Sequence, residues 1–243
     1  MADKNFSIRI GTSGWSYKHW RESFYPKDLP ASGQFGYYAA RYDTVELNSP
    51  FYRLPPKSTF ELWKEKSPPG FLFSVKANRF ITHMKKLSEP AESTSRFLEN
   101  VSGLGEKCGP LLFQLPPKWN INTERFAAFL SALPRHFEYV FEFRNPTWYH
   151  PEITALLKKY GCAFCIYDLD GHLSPLEVTA PLVYVRLHGP EGKYAGSYSN
   201  EALELWATRC IEWSTSAHVF VYFDNDIGTH APYNAAALRE LVK

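Results

Sequence analysis

The sequence is short of cysteine, has no long apolar run and carries almost no surplus of charge, and each shortage closes off a class of protein. Four cysteines in 243 residues, Cys108, Cys162, Cys165 and Cys210, are too few and too scattered for a disulfide scaffold. They are expected as free thiols. Cys162 and Cys165 have CxxC spacing, but no second pair accompanies them and they enter a strand-like run, so buried thiols are the favoured reading over zinc or redox chemistry. No stretch is long enough to span a bilayer, and MADKNFSIRI lacks the apolar core of a signal peptide. A cytoplasmic protein with no membrane partner is expected. A net charge of +2 without any run of Lys and Arg leaves no electrostatic footprint for nucleic acid. With no linker, low-complexity tract or short repeat, the economical expectation is one domain over residues 1–243.

What the chain has in quantity is aromatic side chains, 18 Phe, 15 Tyr and 7 Trp, set in short β-branched or aromatic runs. The strand-like runs are SIRIGTS (7–13), TVELN (44–48), FLFSVKA (71–77), PLLFQLP (110–116), YVFEFR (139–144), AFCIYD (163–168), LVYVRLHG (182–189) and HVFVYFDN (218–225). Between them lie helical patterns at 33–42, 58–66, 91–107, 123–133, 151–161, 200–213 and 231–243. Ser58 with Glu61 reads as a capping box at the start of the second of these, and Pro151 with Gly161 brackets the fifth. Strict alternation in a chain close to the ~250 residues of a β/α barrel predicts the α/β class and a single (β/α)8 TIM-like barrel. The sixth crossover, GHLSPLEVTA (171–180), has too little helical periodicity for a full helix, which leaves a degenerate barrel or an open α/β sheet as alternatives.

In such a barrel the chemistry sits at the C-terminal ends of the strands. Here those ends are polar: Glu46 and Asn48, then Lys76, Gln114, Glu142 and Arg144, Asp168, Arg186 and His188, and finally Asp224 and Asn225. Glu46 with Asn48, Glu142 with Arg144, and Arg186 with His188 are i, i+2 pairs, so each pair points to one face of its strand. In FEFR the two phenylalanines then take the opposite face, and both faces are committed. Loops after the first three strands add Trp15, His19, Trp20, Tyr52, Arg53 and His83. A rim of this kind is favoured as a site over a ring of structural salt bridges.

The motifs IGTSGWSYKHW, TVELNSPFYRLP, FSVKA, ITH, GPLLFQLPP, FEFRNPTW, YVRLHG and VYFDND with APYNA, in that order from about Ile8 to the C-terminus, resemble the YecE-like family, catalogued as domain of unknown function 72. The resemblance implies a TIM-barrel-like fold and carries no established activity. Family motif positions match at Gly14, Trp15, Glu46, Asn48, Tyr52, Lys76, His83, Gln114, Glu142, Arg144, Arg186, His188, Asp224 and Asn225, without assigned roles.

The residues themselves favour an enzyme acting on a small anionic substrate without a cofactor. In that reading Glu46, Glu142, His188 and Asp224 move protons. Asn48, Tyr52, Lys76, Gln114, Arg144, Arg186, Trp15, His83 and Asn225 bind a phosphate or carboxylate on an apolar body. Convergent carboxylates with His188 would also suit a metal-dependent hydrolase or isomerase, but interleaved Lys76, Arg144 and Arg186 oppose a divalent ion, so no metal ligands are assigned. Glu46 with Glu142 as a glycosidase pair fits the cations poorly. The different class is a non-catalytic ligand or nucleic-acid binder, with aromatic loops stacking bases and Arg53, Lys85 and Lys86 on phosphates. "GTSG" (11–14) could cradle a phosphate or simply turn the chain, and Ser13 as nucleophile lacks an identifiable triad. Substrate, reaction and oligomeric state leave no signal in the sequence.

Overall fold

The structure, a computed structural model, describes residues 6–243. Strands β1 (Ile8–Thr12), β2 (Thr44–Leu47), β3 (Leu72–Lys76), β4 (Cys108–Leu115), β5 (Tyr139–Phe143) and β6 (Ala163–Leu169) are followed by the two-residue β7 (His172–Leu173), β8 (Leu182–Leu187) and β9 (His218–Phe223). Helices α1 (Ala31–Ala39), α2 (Ser49–Tyr52), α3 (Lys57–Lys66), α4 (Pro90–Val101), α5 (Thr123–Ala132), α6 (Pro151–Tyr160), α7 (Asn200–Trp213) and α8 (His230–Leu241) connect them. The fold is α/β, a nearly closed TIM-like barrel of eight parallel strands. The hydrogen-bonded order is β1-β9-β8-β6-β5-β4-β3-β2, and β7 pairs antiparallel on the end of β6. The sixth crossover is indeed the irregular one: β6 turns back through β7, and no helix separates it from β8.

Two local expectations are overturned. Ser58 and Glu61 form no capping box, because α3 begins one residue earlier, at Lys57, behind Pro56 and with no side-chain cap. Ser58 is then the second helical residue, inside the first turn rather than at the N-cap from which a hydroxyl can accept the N2 or N3 N–H. The stretch 91–107 is not one helix either. α4 stops at Val101 and a 3-10 turn runs from Ser102 to Lys107, within which Gly105 leaves helical geometry altogether at φ 53°, ψ −128°. By contrast Pro151 opens α6 and Gly161, at φ 66°, closes it as expected.

The chain forms two compact units, residues 46–165 and residues 1–45 with 166–243. In residues 46–165 the packing follows from strand alternation. Phe141 and Phe143, both fully buried, meet Phe113, Phe126, Phe129 and Trp148 at ring separations of 5.0–6.2 Å. Burying an aromatic side chain contributes roughly 1.5–3 kcal/mol, so this layer fixes which face of β5 looks outward to the helices. Glu142 takes the other face by default.

In residues 1–45 with 166–243, β9 lies between β1 and β8 in unbroken parallel register, with Gly11 opposite Tyr222 and Arg186 also opposite Tyr222. β1 and β2 are the two ends of the strand order. The Tyr38 hydroxyl stands between them, accepting from the Thr12 N–H and hydroxyl at 2.9 Å each and donating to the Thr44 carbonyl at 3.1 Å. Gly11 permits this approach, since a Cβ there would sit 2.3 Å from the Thr44 carbonyl oxygen. Burial pushes the Tyr38 phenol well above its ordinary pKa, so the hydroxyl keeps its proton.

Tyr38→Phe therefore leaves the buried Thr12 N–H without its acceptor and costs about 1–3 kcal/mol. A urea denaturation midpoint equal to wild type would show that the phenol does not hold this seam.

Candidate functional site

The C-terminal halves of β8 and β9 place Arg186, His188 and Asp224 together. Arg186 and His188 are fully buried and Asp224 almost so. Arg186 Nη2 donates to Asp224 Oδ2 at 3.2 Å, and His188 Nδ1 lies 3.0 Å from the same oxygen. Arg186 Nη1 is 3.3 Å from His188 Nε2. A guanidinium can only donate, so in this contact Nε2 presents its lone pair, while Nδ1, though close to the carboxylate, is not aligned with it for a hydrogen bond. The hydroxyl of Ser13, in the turn after β1, is 3.4 Å from Arg186 Nη2. One carboxylate oxygen thus lies against both an arginine and an imidazole, with a serine hydroxyl at the edge.

Neighbouring groups hold this set in place. The His188 N–H donates to the Asp168 carbonyl at 2.9 Å, and Gly189, at φ 108°, turns the chain so that its N–H donates to the Tyr198 hydroxyl at 3.0 Å. That hydroxyl donates in turn to Asp168 Oδ2 at 3.1 Å. Burial raises the Asp168 carboxyl above its ordinary pKa, and the Tyr198 bond only partly opposes it. Asn225 is fully buried, and its amide donates to the Gly196 carbonyl at 2.9 Å and to Asn234 Oδ1 at 2.8 Å. The loop after β1 is anchored by Trp20 Nε1–H on Asp226 and by His19 Nε2 at 2.8 Å from Asp226 Oδ2. Burial raises the Asp226 carboxyl, against the pull of Trp20 and His19. Trp15, half-buried, packs on Phe35 with ring centroids 5.1 Å apart, and Trp20 is fully buried.

In residues 46–165, Glu142 is fully buried and ion-paired with Arg144 across the i, i+2 spacing the sequence set. Its second oxygen lies 3.9 Å from the Cys165 sulfur. Gln114 is its register neighbour on β4. Glu46 is fully buried at the end of β2, and Asn48, half-buried, follows it. The Lys76 ammonium sits 4.6 Å over the Phe51 ring, whose centroid is 5.1 Å from that of His83. His83 Nδ1 is 2.9 Å from the Thr82 hydroxyl. Burial, then the charges of Lys76 and Arg79, lower the His83 pKa below its ordinary value. Tyr52, on α2, is 72% exposed and joins Phe51 edge-on at 5.0 Å.

All four cysteines are free thiols. Burial pushes the Cys108, Cys162 and Cys210 thiols up to about 12, which leaves them without thiolate at neutral pH. Among the described residues no three His, Cys, Asp or Glu side chains group as metal ligands, and no helix is long and apolar enough to cross a membrane. Sequence reasoning missed Ser13 as a neighbour of Arg186, Tyr198 as the brace of Asp168, and Cys165 against Glu142. Alternation along β6 could have found the last. Nothing in loop residues 189–199 encodes where Tyr198 points.

Comparison with known proteins places this chain among relatives. The family model described as protein of unknown function DUF72 matches residues 9–243. The UPF0759 protein YunF of Bacillus subtilis is 26% identical over 97% of this chain and 94% of its own length. The UPF0759 protein YecE of Escherichia coli K12 is 27% identical over 58% of this chain and 50% of its own length. A crystal structure of a DUF72 family protein from Thermotoga maritima superposes with a TM-score of 0.86 at 28% identity, covering 97% of this chain and 99% of that one.

His83 gives a direct check on the electrostatics of residues 46–165. Its ring should titrate below the ordinary value near 6.5 in an NMR pH series. Lys76→Ala should move that midpoint up. Because the folded ring takes its proton less readily than the unfolded one, its contribution to stability falls as pH drops through the unfolded value. A midpoint at or above 6.5, or one unmoved by the variant, would contradict the assignment.

Proposed function

The chain belongs to the DUF72 family, and from that premise we propose that it is an enzyme acting on a small anionic substrate by acid/base chemistry at its strand ends. The observation that carries this reading is the buried Arg186–Asp224–His188 set. Such a set is a poor device for stability alone. Desolvating a guanidinium and a carboxylate costs several kcal/mol each, and apolar residues of the same volume often do as well. It is a good device for chemistry, because the charges are pre-positioned where little water competes.

The roles follow from the contacts. Arg186 has donors that a phosphate or carboxylate would claim. An anion that draws Arg186 Nη1 away from His188 uncovers the Nε2 lone pair, which then accepts a proton from the substrate. Asp224 keeps the ring oriented and compensates the charge it gains. Arg186 meanwhile stabilises negative charge developing on the substrate. Ser13 supplies a hydroxyl that can donate to the same anion. In residues 46–165, Glu142 and Arg144 offer the same pairing of proton acceptor and anion holder. Glu46, Asn48, Tyr52, Lys76, His83 and Gln114 belong to that proposal, and Trp15 and Asn225 act as supports of the loops around Ser13 and Asp224.

The experiment is thermal melting against a panel of phosphate- and carboxylate-bearing metabolites. A ligand at 100 times its Kd should add about 2.7 kcal/mol of stability. That shift should vanish in Arg186→Ala, while His188→Gln should keep binding and lose turnover of whichever ligand binds. Arg186→Ala strands the Asp224 carboxylate, so the pair Arg186→Leu with Asp224→Asn serves as a second, charge-neutral variant. A panel in which nothing raises the melting temperature, or a shift that survives both variants, would sink the reading.

A further inference from the structure

Residues 46–165 carry a groove of about 840 Å³ that shares no residue with the Arg186 set. Its walls come from the segment after α2, the turn after β3 and the helix α4. We propose that this groove is a separate binding site for a small ligand that joins one phosphate or carboxylate to a flat, apolar body.

Three observations point the same way. The first is charge: Arg53 and Arg96 both line the groove, and among the described residues neither guanidinium has a hydrogen bond or ion pair. Two unpaired guanidiniums beside one cavity repel each other and gain most from an anion between them, for which their planar donor forks are suited. Glu92, at the same groove, is the one carboxylate there, so the lining keeps a net positive charge. The second is an unmet hydrogen bond. Ser93 is only 6% exposed, lines the groove and has a buried hydroxyl with no partner. A buried hydroxyl without a partner is destabilising, and a ligand oxygen would recover the missing bond. The third is shape and polarity. Phe80 is 41% exposed in the turn after β3, and Leu54, Pro55 and Phe97 continue an apolar wall. The proline keeps that wall rigid. A ring laid on Phe80 fits this surface, and the volume lies within the ~300–1,000 Å³ of sites for small organic ligands.

The test uses the full chain and adenosine 5′-monophosphate as the probe, followed by calorimetry, with inorganic phosphate and adenosine as its two halves. Saturable binding of the monophosphate, tighter than either half, is expected. Arg53→Ala with Arg96→Ala should weaken it at least about tenfold. Ser93→Ala should weaken binding several-fold while leaving the melting temperature equal or higher, since it deletes an unpaired buried hydroxyl. A purely structural serine would show the reverse pattern. Three outcomes overturn the proposal. One is no saturable binding of the monophosphate. Another is an affinity that survives loss of both arginines but falls in the Arg186→Leu, Asp224→Asn variant, which would place binding at that other set and leave the proposed function standing. The last is a short single-stranded oligonucleotide that binds at least about tenfold tighter through the same arginines, which would assign the groove to nucleic acid.

Discussion

The constraint on which the rest depends is that the strands of this fold are buried on both faces. A parallel strand flanked by neighbours alternates its side chains between the helical layer and the opposite face, and neither face is bathed in solvent. β5 makes this concrete. Phe141 and Phe143 are locked among Phe113, Phe126, Phe129 and Trp148, so Glu142 between them has no choice of side and is fully buried. A buried carboxylate must then be compensated close at hand, and the nearest position on the same face is i+2, where Arg144 stands. On β8 the same logic joins Arg186 to His188, and the partner carboxylate comes from the next strand as Asp224. The aromatic layer is thus what forces the charges together.

That constraint also explains how far the sequence could be read. The strands and their polar ends were legible because alternation is strict over short runs, and each of the eight expected strands lies within a residue or two of its place. Glu142 with Arg144, and Arg186 with His188, were legible for the same reason: i, i+2 spacing on a strand is geometry. What failed depended on finer backbone choices. Pro56 and Lys57 start α3 ahead of the Ser58 signal, and α4 gives way at Val101 to a 3-10 turn, itself interrupted at Gly105, where periodicity alone would have continued one helix. The sixth crossover was flagged correctly because its apolar residues lack helical spacing, but the short return through β7 was not foreseen. Side chains on loops were the least readable. Ser13 and Tyr198 reach their partners through turns set by positive-φ glycines, Gly14 and Gly189, and no periodicity reports the direction such turns take.

The arginines of this chain illustrate two opposite physical states. Arg186 is buried and compensated, bound to Asp224 and turned toward His188, so its charge is held in fixed geometry and a ligand must compete for it. Arg53 and Arg96 are exposed, and no carboxylate engages their guanidiniums among the described residues. The first state suits catalysis, where a charge must be positioned before the substrate arrives and must not wander. The second suits reversible capture of an anion, where nothing has to be displaced and the gain on binding is the loss of mutual repulsion. An anion at Arg186 would have to break an existing contact, whereas one at Arg53 and Arg96 would cost only side-chain entropy.

The same comparison sets an order of sensitivity to pH. Asp168 and Asp226, both raised by burial, hold their protons to higher pH in the folded chain than in the unfolded one. Between those two values the folded state binds the extra proton, so the stability these two residues contribute declines as pH rises through the folded values and is greatest in acid. His83 runs the other way and weakens the fold in acid. The anchor of the loop after β1 on Asp226, through Trp20 and His19, therefore sits beside a carboxyl whose ionisation is opposed by burial and favoured by its partners.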